Sequence, residues 1–185
     1  FDRDDALDAD NAFAPPGGDL PFSQMQYGAT LGGPLKKDKT FIFAALERLD
    51  VEDNNIVTIS PEAASAIRAA GFPLETGVLP FVRWSNTAFL RLDQRFGAEN
   101  NLTVRYNFAS ARNENQEAWG GLNAKSRGGV LELNDQAASV ALSSVLTTSL
   151  IHEARFQYSR RDYDLGTFDP LGGPNVRILG VAEIG

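Results

Sequence analysis

The chain has no cysteine. That absence removes disulfide scaffolds, thiolate metal sites and cysteine nucleophiles together. Histidine occurs once, at His152, which excludes histidine-rich zinc centres and most general-base dyads. Basic charge is short as well. Over 185 residues, 17 Lys plus Arg stand against 24 Asp plus Glu, a formal net charge of −7. A sequence-independent nucleic-acid binder needs a basic stripe for the phosphates, so nucleic acid is not an expected partner. No apolar run is longer than Phe41 to Leu46. A transmembrane helix needs about 20 such residues. With no nucleophile–base constellation in view, an enzyme is the least expected reading, and no cofactor, metal or catalytic residue is assigned. The chain opens at Phe1 without an initiator Met or the n- and h-regions of a signal peptide. Residues 1–185 are therefore expected to be an internal fragment of a larger domain.

Helical periodicity is nearly missing too. Its one instance is Ser60-Pro61-Glu62-Ala63-Ala64-Ser65-Ala66-Ile67-Arg68-Ala69-Ala70-Gly71. Ser60 suits an N-cap, Pro61 the first helical position and Gly71 the stop. The spacing predicts one short helix, near 61–70, decorating a loop.

What remains alternates with period two. Met25, Tyr27, Ala29 and Leu31 share one face of a first strand, Gln24 to Gly32. A second strand, Thr40 to Asp50, is apolar for its first half and then meets Glu47 and Arg48. Thr87 to Phe96 sets Ala88, Leu90 and Leu92 against Arg91, Asp93 and Arg95. Leu102 to Ala111 sets Val104, Tyr106 and Phe108 against Thr103, Arg105 and Asn107. Gln136 to Leu146 sets Ala138, Val140 and Leu142 against small residues. Ser149 to Arg161 sets Leu150, Ala154, Phe156 and Tyr158 against Glu153, Arg155 and Gln157. These are strands with one apolar face. They are longer than the usual globular strand of about 5 or 6 residues.

The connections alternate in length. Short polar turns lie at Gly33 to Lys39, Gly97 to Asn101 and Thr147-Thr148. Longer ones run from about Val51 to Asn86, from Arg112 to Asp135 and from Asp162 onward. Short turns alternating with long loops are the pattern of outer-membrane barrels, whose strands run apolar-out and polar-in. A soluble sandwich favours shorter strands and short hairpins at both ends. Pairing Phe96 with Leu102 across the second turn also sets Asp93 opposite Arg105.

The run Gln26-Tyr27-Gly28-Ala29-Thr30-Leu31-Gly32-Gly33-Pro34-Leu35, with the basic turn Lys36 to Lys39 and then Thr40-Phe41-Ile42-Phe43, resembles a segment of TonB-dependent outer-membrane receptors of the Oar-like group. Leu46-Glu47-Arg48 stands where that segment ends in Tyr-Glu-Gly. Phe89 to Gln94, Asn101 to Asn107, Ile151 to Tyr158 and Ile178 to Gly185 are similar to later stretches of the group, with His152 where Asn is common. Phe1 to Ala9 resembles the outer end of a first barrel strand. The resemblance covers nearly the whole chain outside Ile56 to Val82. It implies a barrel of about 22 strands around a plug, placed in the outer membrane of a Gram-negative cell. Such receptors import a scarce ligand with energy passed on by TonB. The expected partners are outer-membrane lipid, the protein's own plug, the TonB complex and an unknown imported ligand.

The remaining signals have plainer readings. Asp2, Asp4, Asp5, Asp8 and Asp10 lack the glycine and glutamate spacing of a calcium loop and read as a solvated acidic stretch. Gly32 to Lys37 lacks the Gly-Lys-Ser/Thr of a phosphate loop and runs into a strand. His152 reads as an interfacial side chain on the apolar face. Tyr27, Phe96, Tyr106, Phe108, Phe156 and Tyr158 read as girdle residues toward strand ends. Arg91, Asp93, Arg95, Arg105, Glu153 and Arg155 are the lumen-facing candidates. The expected fold is thus all-β: an antiparallel meander of about six long strands, part of a transmembrane barrel, supplying wall and outer loops. The alternative is a soluble β-rich carbohydrate- or ligand-binding module, with Trp84, Trp119 and Gly120 to Asn123 as a stacking platform.

Overall fold

In the computed structural model the described residues are 1–4 and 20–185. Residues 5, 8 and 10 of the acidic run, and most of the expected first strand end, lie outside them. Seven strands form one sheet in chain order, every neighbour antiparallel. A three-residue β1 (Asp2–Asp4) is followed by six long strands: β2 (Ser23–Lys36), β3 (Thr40–Val57), β4 (Gly77–Phe96), β5 (Asn100–Glu117), β6 (Gly129–Thr147) and β7 (Leu150–Thr167). A helix, α1 (Pro61–Ala69), sits between β3 and β4. A separate hairpin, β8 (Val176–Ile178) and β9 (Ala182–Ile184), closes the chain.

The strands outrun the sequence expectation. β4 has 20 residues, β6 has 19, and β3, β5 and β7 have 18 each. A tilted strand crosses a bilayer in about 9–11 residues. Most of the excess lies at the outer end, in stretches that composition marks as loop; at the inner end β2 also continues through Gly33 to Lys36, into the expected first turn. Asp50 to Val57 pair residue for residue with Gly77 to Trp84. Polar side chains there are no obstacle, because outside lipid a ladder needs only its backbone partners. At the other end the turns are tight. Lys37 to Lys39 joins β2 to β3, and Asp38 adopts φ 59°. Gly97 to Glu99 joins β4 to β5, with Gly97 at φ 67°, a conformation that favours glycine. Thr148 and Ser149 join β6 to β7.

The second turn corrects the register. Phe96 pairs with Asn100, not with Leu102, so Asp93 stands opposite Thr103, and Arg105 stands opposite Arg91. The turn is shorter than symmetry about its polar stretch implies, because Gly97 lets the chain reverse sooner. Asp93 and Arg105 still share one face, two positions apart.

Register and parity define two faces. On one, Leu92, Val104, Val140 and Phe156 form one cross-strand row, and Leu90, Tyr106, Ala138 and Tyr158 the next. No layer covers them: Leu31 is 74% exposed, Phe156 69% and Leu46 63%. A soluble sandwich would bury these side chains; a lipid-facing wall leaves them in this state. The apolar band from Leu102 to Phe108 spans about 20 Å along the strand. Tyr27 and Phe108 mark its outer margin, while Tyr106, Tyr158 and Phe156 lie within it. Phe96 ends β4 at the inner margin, as expected, but the other five girdle residues do not sit at strand ends, because the strands continue outward past them. Beyond the margin comes Arg48, which donates to Asp50 at 2.9 Å and to Asn86 at 3.0 Å, and level with Phe108 lies Arg160, which donates to Asp162 at 3.1 Å. His152, paired with Ser144, holds the inner end of this face.

The compact core of the described residues lies above the band. Val57, Ile59, Ala64, Ile67, Leu74, Phe81, Trp119, Ala124, Ala182 and Ile184 form one buried cluster. It joins α1, the loop before β6 and the β8–β9 hairpin to the outer ends of β3 and β4. Ser60 accepts from the Ala63 amide at 3.2 Å, so α1 is capped as its sequence indicates. The helix does more than decorate, since Ala64 and Ile67 enter the core.

The band assignment has a direct check. Val104 and Thr103 are neighbours on opposite faces. Val104→Arg should destabilise the full-length protein by about 2 kcal/mol, and Thr103→Arg should cost much less. Cysteine at 104 should react with a lipid-confined reagent and cysteine at 103 should not. Equal labelling would contradict the band.

Candidate functional site: the concave face and its loop cap

The second face is concave and polar. A hollow of about 920 Å³ runs across β2 to β7, over a waist of small side chains that includes Gly28, Thr30, Ala45, Ala109, Ala137 and Ser159. All six lumen candidates lie on this face. Arg91, Asp93 and Arg95 come from β4, Arg105 from β5, and Glu153 and Arg155 from β7. They are held in rows by the pairings Arg91–Arg105–Ser139–Gln157 and Asp93–Thr103–Ala141–Arg155.

They do not act as one group. Arg91 and Asp93 are an ion pair along β4 at 2.7 Å. Asp93 also accepts from the Thr103 hydroxyl at 2.7 Å. Arg155 forks onto Glu153 of its own strand, with Nε at 3.0 Å and Nη2 at 2.5 Å. Among the described residues Arg105 makes no hydrogen bond or ion pair, and its charge reaches Asp93 only through space. Arg95 lies nearest the turn, in the row of Asn101, Ser143 and Glu153. A further charge pair on this face is missed by inspection of sequence: Arg161 of β7 binds Asp135 of β6 through two contacts, at 2.7 and 2.6 Å. Alternation alone places both on the polar face, but only the register brings them together. The same face carries Phe41, Phe43 and Phe89. Phe43 and Phe89 meet at 6.0 Å between ring centroids. Gly32 lies opposite Phe43, and a Cβ there would stand 2.9 Å from the ring.

The loop cap closes against this concave side. Val57 and Phe81, its contacts on β3 and β4, share parity with Leu79, Arg83 and Arg91. Phe81 meets Trp119 edge to face at 6.2 Å, and Trp119 Nε1 donates to the Glu114 carbonyl at 3.3 Å. Trp119 is 4% exposed. Trp84 lies on the opposite, lipid-side face, under the Arg48 guanidinium at 4.9 Å. The two tryptophans therefore cannot form one stacking platform, which removes the motif behind the soluble-module alternative. Lys125 lies over both Trp119 and Phe168, at 5.6 and 5.4 Å.

Glu183 fastens the cap. It accepts from Arg177 at 2.7 Å, from Asn175 at 3.1 Å and from Arg127 at 3.1 Å. These donors, Arg177 foremost, hold its carboxyl down to about 2. No group of three or more metal-ligating side chains occurs among the described residues.

Residues 1–82 match the model of a family described as an outer membrane beta barrel domain. The match covers β1 through the first residues of β4, and the remaining strands continue the same antiparallel meander. The chain is barrel wall of an outer-membrane β-barrel protein, and its place is the outer membrane. Neither the curated proteins nor the solved structures include a match. On this assignment the apolar face meets lipid and the concave face lines the lumen.

The Glu183 cluster gives a pH prediction with a definite sign. Its folded pKa, about 2, lies below the ordinary carboxylate value of 4.5. The bonds therefore contribute fully above the unfolded value and fade as pH falls through the folded one. Hydrogen exchange at the Ala124 and Ile178–Ala182 amides, corrected for intrinsic rates, should accelerate from pH 4.5 toward 2. Glu183→Gln should show the faster exchange already at neutral pH and little further change in acid.

Proposed function

We propose that this chain supplies wall and outer loops of a TonB-dependent receptor of the Oar-like group, which binds a scarce ligand at the cell surface and imports it. The observation that carries the reading is the stretch Gln26 to Phe43, whose resemblance to that group falls on one hairpin: β2, the basic turn and the aromatic start of β3. Two further features support it. The three tight turns all lie at one end and the folded loops at the other. The concave face is also wet, charged and wide enough to surround something other than side chains of its own sheet. In this role the chain is a transport protein and not an enzyme. Its partners are outer-membrane lipid, the receptor's own plug, the TonB complex and the imported solute, and nucleic acid is not among them.

The test uses the full-length protein. It should stay in the membrane pellet after an alkaline carbonate wash. It should also bind the purified periplasmic domain of TonB saturably. Pellet retention without TonB binding would leave a barrel of another transport class. Recovery in the soluble fraction would end the reading altogether.

A further inference from the structure

We propose that the lumen holds an oxyanion subsite between β5 and β7, which takes a carboxylate or phosphate group of the solute; the inference rests on the uptake reading for what delivers that group. A hollow of about 510 Å³ lies there on the concave face. Its floor is β6, which presents only Ser139, Ala141 and Ser143 at this level. The small floor leaves a trough between two taller walls. Arg105 rises from β5 on one side, and Glu153 and Arg155 rise from β7 on the other.

Charge makes the trough specific. Arg105 stands directly opposite Arg91 on β4. Like charges facing across two strands are destabilising. The carboxylate of Asp93 is already engaged by Arg91 and by Thr103. Glu153 is likewise engaged by Arg155. Arg105 is left with a full fork of N–H donors and no acceptor among the described residues. On this half of the face Arg91, Arg95, Arg105 and Arg155 outnumber Asp93 and Glu153, in a chain whose net charge is −7. The Ser139 and Ser143 hydroxyls border the trough and add neutral donors. The opposite face of these strands carries Leu102, Val104, Val140 and Phe156, so the subsite sits at the depth of the lipid band. A low-dielectric wall focuses the field of the unpaired guanidinium into the hollow. A planar fork beside hydroxyl donors is the arrangement that recognises carboxylate or phosphate.

The experiment uses full-length protein in detergent, without TonB, and two radiolabelled probes, citrate and inorganic phosphate, with glycerol as the uncharged control. Equilibrium dialysis should show saturable retention of at least one anion and none of glycerol. Arg105→Gln should weaken retention about tenfold or more. Arg105→Lys should fall between, because it keeps charge and loses the fork. Arg83→Gln, on the same face but at the outer end, should leave retention unchanged. In an otherwise unaltered protein, the thiol introduced by Ser139→Cys should react with a water-soluble reagent and be protected by the retained anion. This arm stands even if the Arg105 variants fail to fold. Retention of neither anion, equal retention by Arg105→Gln, or a thiol of the Ser139→Cys variant that is unreactive because protein fills the trough would each overturn the subsite. Because TonB is absent, loss of TonB binding overturns the uptake reading alone, and these outcomes overturn the subsite alone.

Discussion

A backbone amide in hydrocarbon has no water to fall back on, and everything in this sheet follows from that constraint. Each unsatisfied group costs several kcal/mol, so a strand can cross lipid only with a neighbour on both sides. The response here is an unbroken ladder. From Thr40 to Val57, every β3 residue has a partner on β4. Irregularities fall at Pro34/Lys36 and Val145/Thr147, beside turns, and at Asn113/Glu117, beyond the band. With β3 to β6 each paired on both sides, side chains are free to divide by parity alone. One face can be as apolar as lipid requires while the other carries arginines and carboxylates at the same depth.

The same division explains why a chain with so few buried residues has any core at all. In the wall, lipid does the work that a second layer does in soluble proteins. Above the wall that solvent is gone, and apolar side chains must find one another. Ile59, Ile67, Leu74, Trp119 and Ile184, drawn from three separate loops, do so against Phe81. The outer ends of β3 and β4 gain length from this packing, since the cluster pins them beyond the reach of the membrane. Its attachment on the concave side turns the loops toward the lumen. The mouth is thereby partly walled by folded structure, held by Glu183 and its three donors.

Much of this was legible in the sequence because period two is a local property. Each of the six long strands, the helix at Pro61 and the common face of Arg91, Asp93, Arg95, Arg105, Glu153 and Arg155 follow from spacing. Strand ends were not legible, because Glu52 to Asn55 carry no alternation and pair only by continuing a neighbour's ladder, and Glu114 to Gln116 fall in the irregularity between the pairs Asn113–Leu131 and Glu117–Gly129. Register was off by two at Asp93, where a single glycine decides how early the chain turns. Pairings such as Arg161 with Asp135 need that register before they can be seen. The role of Trp119 was hidden for a different reason: its partners are scattered from Val57 to Ile184, and no window of sequence joins them.

The central claim is that one sheet separates lipid from lumen, with its tight turns inside the cell envelope and its folded loops outside. Cysteine accessibility in whole cells measures this most directly. With a thiol reagent that cannot cross the outer membrane, the exposed loop variants Glu75→Cys and Leu122→Cys should label in intact cells. Asp38→Cys and Ala98→Cys, in the turns, should label only after the outer membrane is permeabilised. Labelling of the turn positions in intact cells, with the loop positions protected, would contradict the account.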